Sequence, residues 1–135
     1  MTGRLKGAWL RDVWEPLPSL LGNAPSPLKA LALNLLGWSL HRRAEKLGIP
    51  RNRGFRGAYD LLGPHPSPDR LFPRFLADAR PGLLIMCHPA YVDQALIDGP
   101  DPVHAPREAE RSYLASEIFS RHLADAGVAL RHVIG

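Results

Sequence analysis

Cysteine is nearly missing from this chain. Cys87 is the single one, which excludes an internal disulfide and any zinc site built on paired cysteines. Adjacent aspartates occur nowhere. The six histidines, at 41, 65, 88, 104, 122 and 132, include no pair two or four residues apart. A hydrolytic metal needs about three fixed protein ligands and an open position, and no such spacing is present. Long apolar runs are lacking too. The longest, Ala30 to Leu40, is about half of the ~20 residues that span a bilayer, and Asn34, Gly37 and Ser39 interrupt it. The basic start, Met1-Thr2-Gly3-Arg4-Leu5-Lys6, is not followed by the apolar core of a secretory leader. These absences set the expectation of a soluble cytoplasmic protein without a transmembrane segment.

What is present suits one globular domain over 1–135. Hydrophobic residues make up 45% of the chain, which argues against disorder. Its 14 prolines are roughly twice the usual ~5% and cut the chain into short elements. The net charge is +4. It is spread along most of the sequence and reads first as a solvated basic surface. The densest stretch, His41 to Arg56, holds Arg42, Arg43, Lys46, Arg51, Arg53 and Arg56 against Glu45. It could meet anionic lipid headgroups or nucleic-acid phosphates; a solvated helix end is the plain alternative.

Periodicity and breakers predict an alternation of strands and helices. Residues 8 to 14 read as a short strand ended by Glu15-Pro16-Leu17-Pro18. Ser26 and Pro27 open a helix that should run to about Leu47 and stop at Gly48 and Pro50. The apolar arc of Leu28, Leu31, Leu35 and Trp38, with Leu33, Leu36 and Leu40 nearby, predicts that its first half is buried. A short strand and loop follow over 51–63. A helix capped by Ser67 and Pro68 should reach about Ala79, with Leu71, Phe72, Phe75 and Leu76 facing the core. Then come a strand over 82–87, a loop over 93–105, a helix from Pro106 to about Ala126 buried through Leu114, Ile118, Phe119 and Leu123, and a strand over Val128 to Val133. The expected fold class is α/β: a partial (β/α) barrel of about four strands alternating with three helices.

The most informative segment is Met86-Cys87-His88-Pro89-Ala90-Tyr91 after the apolar run Gly82-Leu83-Leu84-Ile85. A buried strand that stops at His-Pro leaves an imidazole at its carboxyl end. Proline at 89 biases His88 toward extended backbone. Catalytic side chains gather at that end of strands in parallel α/β folds, so His88 is the candidate catalytic residue.

Leu84 to Tyr91 resembles the "MCHPGY" strand-loop of the YdjC-like (ChbG/HpnK) carbohydrate deacetylases. Arg107-Glu108-Ala109-Glu110-Arg111-Ser112-Tyr113-Leu114-Ala115-Ser116 is similar to that family's "REREL-YL-S" helix. The ending Ala126 to Leu130, the segment Trp9 to Asp12, and Gly48 to Gly57 (the family's "GI-TN-GF-G" loop) are similar as well. The hopanoid-biosynthesis-associated branch is the most similar. The likeness covers nearly the whole chain but only the carboxyl-terminal half of the family. It departs at Ala90, where the family commonly has glycine, and alanine there restricts the backbone.

The resemblance implies a hydrolase that removes an acetyl group from an N-acetylated amino sugar or glycolipid, working with a divalent cation (Mg²⁺, Mn²⁺ or Zn²⁺). The family's cation is held by an Asp from an "NADDFG"-type motif and two histidines, and none of these motifs occurs here. No metal is therefore expected to be fully ligated by this chain, which is expected to be inactive alone. His88 would act as the acid that protonates the departing amine, or as the group that orients that proton, because an imidazole suits that step near neutral pH. Arg11, Phe55, Tyr59 and Tyr91 are candidate substrate contacts: Arg11 for a sugar hydroxyl, Phe55 and Tyr59 as stacking faces or plain core aromatics, and Tyr91 as a cap over the pocket. Asp93 could pair with His88 or stand solvated in its loop. Expected partners are the amino-sugar or glycolipid substrate, a separate amino-terminal half chain or a second copy, and weak contact with a membrane surface; no nucleic acid is expected. The alternatives are a non-enzymatic binding module, such as a half-barrel pairing its edge with another chain, and a small basic nucleic-acid binder.

Overall fold

The computed structural model describes residues 9–18 and 27–132. The capping role expected of Ser26 and the end of the last expected strand lie outside them.

Two parallel strands, β1 (Gly54–Arg56) and β2 (Leu83–Ile85), pair in the register Gly54 with Leu83, Phe55 with Leu84 and Arg56 with Ile85. The stretch expected as a first strand contributes one parallel bridge, Leu10 to Arg51, with the Leu10 N–H on the Pro50 carbonyl at 2.9 Å. Residues 128–132 are not strand.

Helix α1 (Pro27–Lys46) spans 20 residues. It ends as its breakers demand. Gly48 takes φ +62, the Ile49 N–H reaches back to the Ala44 carbonyl at 3.0 Å, and Pro50 follows. A left-handed glycine with a six-to-one hydrogen bond satisfies carbonyls that the helix end would leave open.

Its burial reverses the expectation. The inward stripe is Ala30, Asn34, Gly37 and Ala44, while Leu28, Leu35, Leu36, Trp38 and Leu40 are exposed. Close approach is the reason. A methyl group added at Gly37 would sit 2.6 Å from Val13 Cγ2, so large residues cannot occupy this contact. Asn34 fastens it instead, accepting from the Glu15 N–H at 2.8 Å and donating to the Glu15 carbonyl at 3.0 Å.

Helix α2 (Pro68–Leu76) buries Leu71, Phe72, Phe75 and Leu76 as its spacing requires. It stops three residues before Ala79 because Ala77 is extended and Asp78 adopts φ +51, a left-handed state that Asp tolerates better than most residues. The loop over 93–105 contains a short helix, α3 (Gln94–Ile97), capped by Asp93, whose Oδ1 accepts from the Leu96 N–H at 2.9 Å.

The single helix expected over 106–126 is two helices, α4 (Ala105–Leu114) and α5 (Glu117–Asp125). Ser116 breaks it. Its backbone is extended (φ −94, ψ 158), its hydroxyl caps the Phe119 N–H, and it donates to the Tyr113 carbonyl at 2.6 Å. Serine competes for backbone partners in this way and favours caps over helix interiors.

The resulting turn brings Phe119 back onto Phe72 (6.0 Å, 83°) and Tyr113 (5.5 Å). The core is Tyr59, Leu71, Phe72, Phe75 and Tyr113, with Leu61, Ile85, Cys87, Leu114 and Phe119 packed against it. Ile118, expected inside, is exposed.

Gly57 joins β1 to this core. It has φ +90, and a methyl group there would overlap the Met86 carbonyl oxygen and lie 2.9 Å from the Met86 nitrogen. Both atoms are backbone and cannot swing aside. Gly57→Ala should therefore destabilise the fold by about 3 kcal/mol or more in urea melts, through combined backbone strain and overlap.

Candidate functional site

Glu110 organises the region around His88. It lies on α4, three residues before Tyr113 and four before Leu114, so helical spacing turns it into the core. Its side chain is fully buried. One carboxylate oxygen accepts from the Tyr59 hydroxyl; the other accepts from the backbone N–H of His88. A buried carboxylate needs such donors, because leaving it unpaired would cost several kcal/mol. The carboxylate thus ties the end of β2 to the loop after β1 and to α4.

His88 is held by its main chain on the other side as well. Arg107 Nη1 donates to the His88 carbonyl at 3.2 Å, and the Ala90 N–H reaches the Arg107 carbonyl at 3.4 Å. Arg107 also pairs with Asp101. The Asp101 carboxyl is held below the usual carboxylate range, first by the Val103 N–H and then by Arg107. The side chains are a different matter. His88 Nδ1, His104 Nε2 and Arg107 Nε are buried and find no hydrogen-bond partner among the described residues. Buried polar atoms are normally paired, and Arg107 links the three residues: its N–H donates to the His104 carbonyl at 3.0 Å and its Nη1 to the His88 carbonyl. The His88 residue is half-buried, and its unpartnered Nδ1 is enclosed.

The other candidate residues scatter. Phe55 and Tyr59 are buried, at 7% and 3% exposure, so neither ring offers a face for sugar stacking. Phe55 donates its N–H to Glu15 at 2.8 Å, and Tyr59 serves Glu110. Tyr91 is exposed with the Arg111 guanidinium 4.3 Å from its ring centre, a cation–π contact. Arg11 is exposed and belongs to the segment beside β1, not to the His88 region. Asp93 caps α3 through the Leu96 N–H. Arg56, counted among the basic surface residues, is buried; it donates to the Phe75 carbonyl at 2.8 Å and lies 3.6 Å from Glu15.

Glu110, Arg107 and His104 escaped the residue-by-residue reading of the sequence. The available signal was a carboxylate at core spacing: Glu110 shares its helix face with Tyr113 and Leu114, where an unpartnered acid would be costly.

A second polar cluster lies at the opposite end of β1. The buried Asp12 receives His41 Nδ1 at 2.6 Å and Arg51 Nε at 3.1 Å on one oxygen. Its main chain exchanges hydrogen bonds with Asn52 at 2.7 and 2.6 Å. Trp14 stacks on the His41 ring at 4.3 Å. These residues, with Arg53, line an open cleft of about 550 Å³. The other Asp12 oxygen accepts from the Trp14 N–H at 3.0 Å within the same segment, and the remaining contacts fasten that segment to α1 and to the residues before β1.

Among the described residues no three His, Cys, Asp or Glu side chains are grouped to hold a metal ion.

Burial and Glu110 push the Cys87 thiol up from its ordinary 9.0, and burial with the Glu110 hydrogen bond pushes the Tyr59 hydroxyl up from its ordinary 10.0. Both groups are neutral in the low-pH form, so the unfolded chain loses these protons first. Stability is therefore full below the thiol's ordinary value and falls as the pH rises past the two ordinary values. Chemical melts between neutral pH and pH about 11 should show this fall, and Cys87→Ser with Tyr59→Phe should flatten it. Glu110→Ala should cost about 3 kcal/mol, since it strands both donors. Glu110→Gln should cost less, because its amide oxygen still accepts from the His88 N–H.

No family model, curated protein or solved structure matches this chain.

Proposed function

We propose that this chain is the carboxyl-terminal half of a YdjC-like carbohydrate deacetylase and that His88 is its proton donor. One observation carries the reading. The two segments whose sequences resemble that family, 86–91 and 107–116, are separated along the chain yet meet at Glu110 and Arg107, which hold the main chain of His88 from both sides. The motifs are parts of one construction, and its product is a His88 main chain held at both its N–H and its carbonyl.

In amide hydrolysis the tetrahedral intermediate collapses forward only when the leaving amine gains a proton. His88 supplies that proton from three residues past the end of β2. Arg107 and Glu110 touch no substrate; they set where the ring stands. The family's acidic and histidine motifs, which would hold the cation, do not occur in this sequence, and this chain supplies one wall of the site. Tyr91 and Arg111, exposed beside the His-Pro turn, are this wall's candidate contacts with the sugar.

Acetate release from N-acetylated glucosamine oligomers tests the reading. The 135-residue chain alone, with Mg²⁺, Mn²⁺ or Zn²⁺ added, should release none. Combined with an amino-terminal segment carrying those motifs it should be active, and His88→Ala should lower that rate by about 100- to 10,000-fold. Acetate release by the isolated chain, or a combined activity indifferent to His88, overturns the proposal.

A further inference from the structure

Helix α1 turns Ala30, Asn34, Gly37 and Ala44 inward and most of its leucines outward, with Leu31 and Leu33 half-buried. Leu28 is 84% exposed, Leu35 69%, Leu36 78% and Trp38 56%; Leu47, just past its end, is 72% exposed. Isolated exposed leucines need no explanation. Four leucines and a tryptophan exposed on one helix of 20 residues, roughly 30 Å long, do.

The exposed face has a charge pattern. At about 100° per residue, Leu28, Leu35, Arg42 and Lys46 fall within about 40° of one another around the helix, and Leu36, Leu40 and Arg43 flank them on one side. The face that is leucine in the first turns becomes cationic in the last two. Arg42, Arg43 and Lys46 are all exposed. Glu45 is the helix's single acid and is engaged with Arg42 at 3.3 Å and Arg51 at 3.9 Å. Beyond the helix, Arg53 is exposed at the rim of the cleft and continues the positive surface.

We infer that α1 docks this protein on an anionic bilayer surface. The helix lies in the plane of the interface. Its leucines enter the boundary between headgroups and acyl chains, Trp38 sits at headgroup level, and Arg42, Arg43 and Lys46 meet lipid phosphates. No helix among the described residues is long and apolar enough to cross a membrane, so the contact is peripheral. A protein partner fits less well. Two α1 faces packed on each other would crowd six exposed cations into the contact, with the one acid of each helix already paired. This docking stands on α1 alone and does not depend on the reaction proposed for His88.

Co-sedimentation of the full chain with vesicles tests it. Vesicles of phosphatidylcholine mixed with phosphatidylglycerol should bind the protein at low salt, phosphatidylcholine alone should not, and added salt should release it. Replacing Arg42 and Arg43 together by Ala should weaken binding about thirty-fold, from roughly 1 kcal/mol per cation. Leu35→Glu with Leu36→Glu should abolish it. These positions are exposed, so both variants should keep the parent's circular dichroism and melting. Trp38 emission should shift to the blue on binding, and Trp38→Phe should lose that shift. No binding to the mixed vesicles, equal binding to neutral ones, or binding indifferent to these substitutions overturns the inference. So does a dimer in sedimentation equilibrium that Leu36→Glu dissociates, which would give the face to a second copy.

Discussion

The Glu110 carboxylate is the contact on which the rest of this fold turns. It sits with no exposure among the aromatic rings and accepts from the Tyr59 hydroxyl and the His88 N–H. A two-stranded parallel sheet with three residues per strand cannot hold its own geometry, since so few ladder bonds offset little chain entropy. Glu110 supplies what the ladder lacks. It joins the chain after β1, the end of β2 and the first turns of α4 in one polar contact inside an apolar cluster. Low local polarity strengthens those hydrogen bonds and makes breaking either one costly. The position of His88 is thus a consequence of core structure, not of its own side chain.

The amino-terminal part is held by a different kind of contact. Asp12 with Asn52, and Glu15 with Asn34, pin residues 12–15 to β1 and α1 through backbone-to-side-chain hydrogen bonds. Glu15 also accepts from the Phe55 N–H, and Arg56 reaches from β1 to the end of α2. Directional polar bonds over short distances ask for small neighbours, which is why Ala30, Gly37 and Ala44 line the inner side of α1. Most of the leucines are left for the outside. An apolar core on one side of β1 and a polar lock on the other give the molecule its two unlike halves, and the proposed proton donor and the proposed membrane face belong to different ones.

Much of the local structure could be read from residues that restrict the backbone. Gly48 and Pro50 end α1, Pro68 opens α2, and the apolar run after Gly82 forms β2. The face of α2 was equally plain, because four large apolar residues at helical spacing admit one orientation. The candidate site was legible only in part. His88 lies three residues past the end of β2, Phe55 and Tyr59 are interior, and Asp93 is a cap. Two partners that fix His88, Glu110 and Arg107, approach it from 22 and 19 residues away, and no local pattern announces a contact across such a separation.

Local stereochemistry needs only neighbours, so the chain alone determined where α1 stops, where α2 begins, and which face of α2 is apolar. Tertiary structure decided the rest. It split the helix at Ser116 so that Phe119 could close the aromatic core. It turned most leucines of α1 outward because the Val13 contact admits no large side chain. It buried an acid where an apolar residue would leave the main chain of His88 unheld. Each of these depended on what stood opposite, and only folding brings opposite sides together.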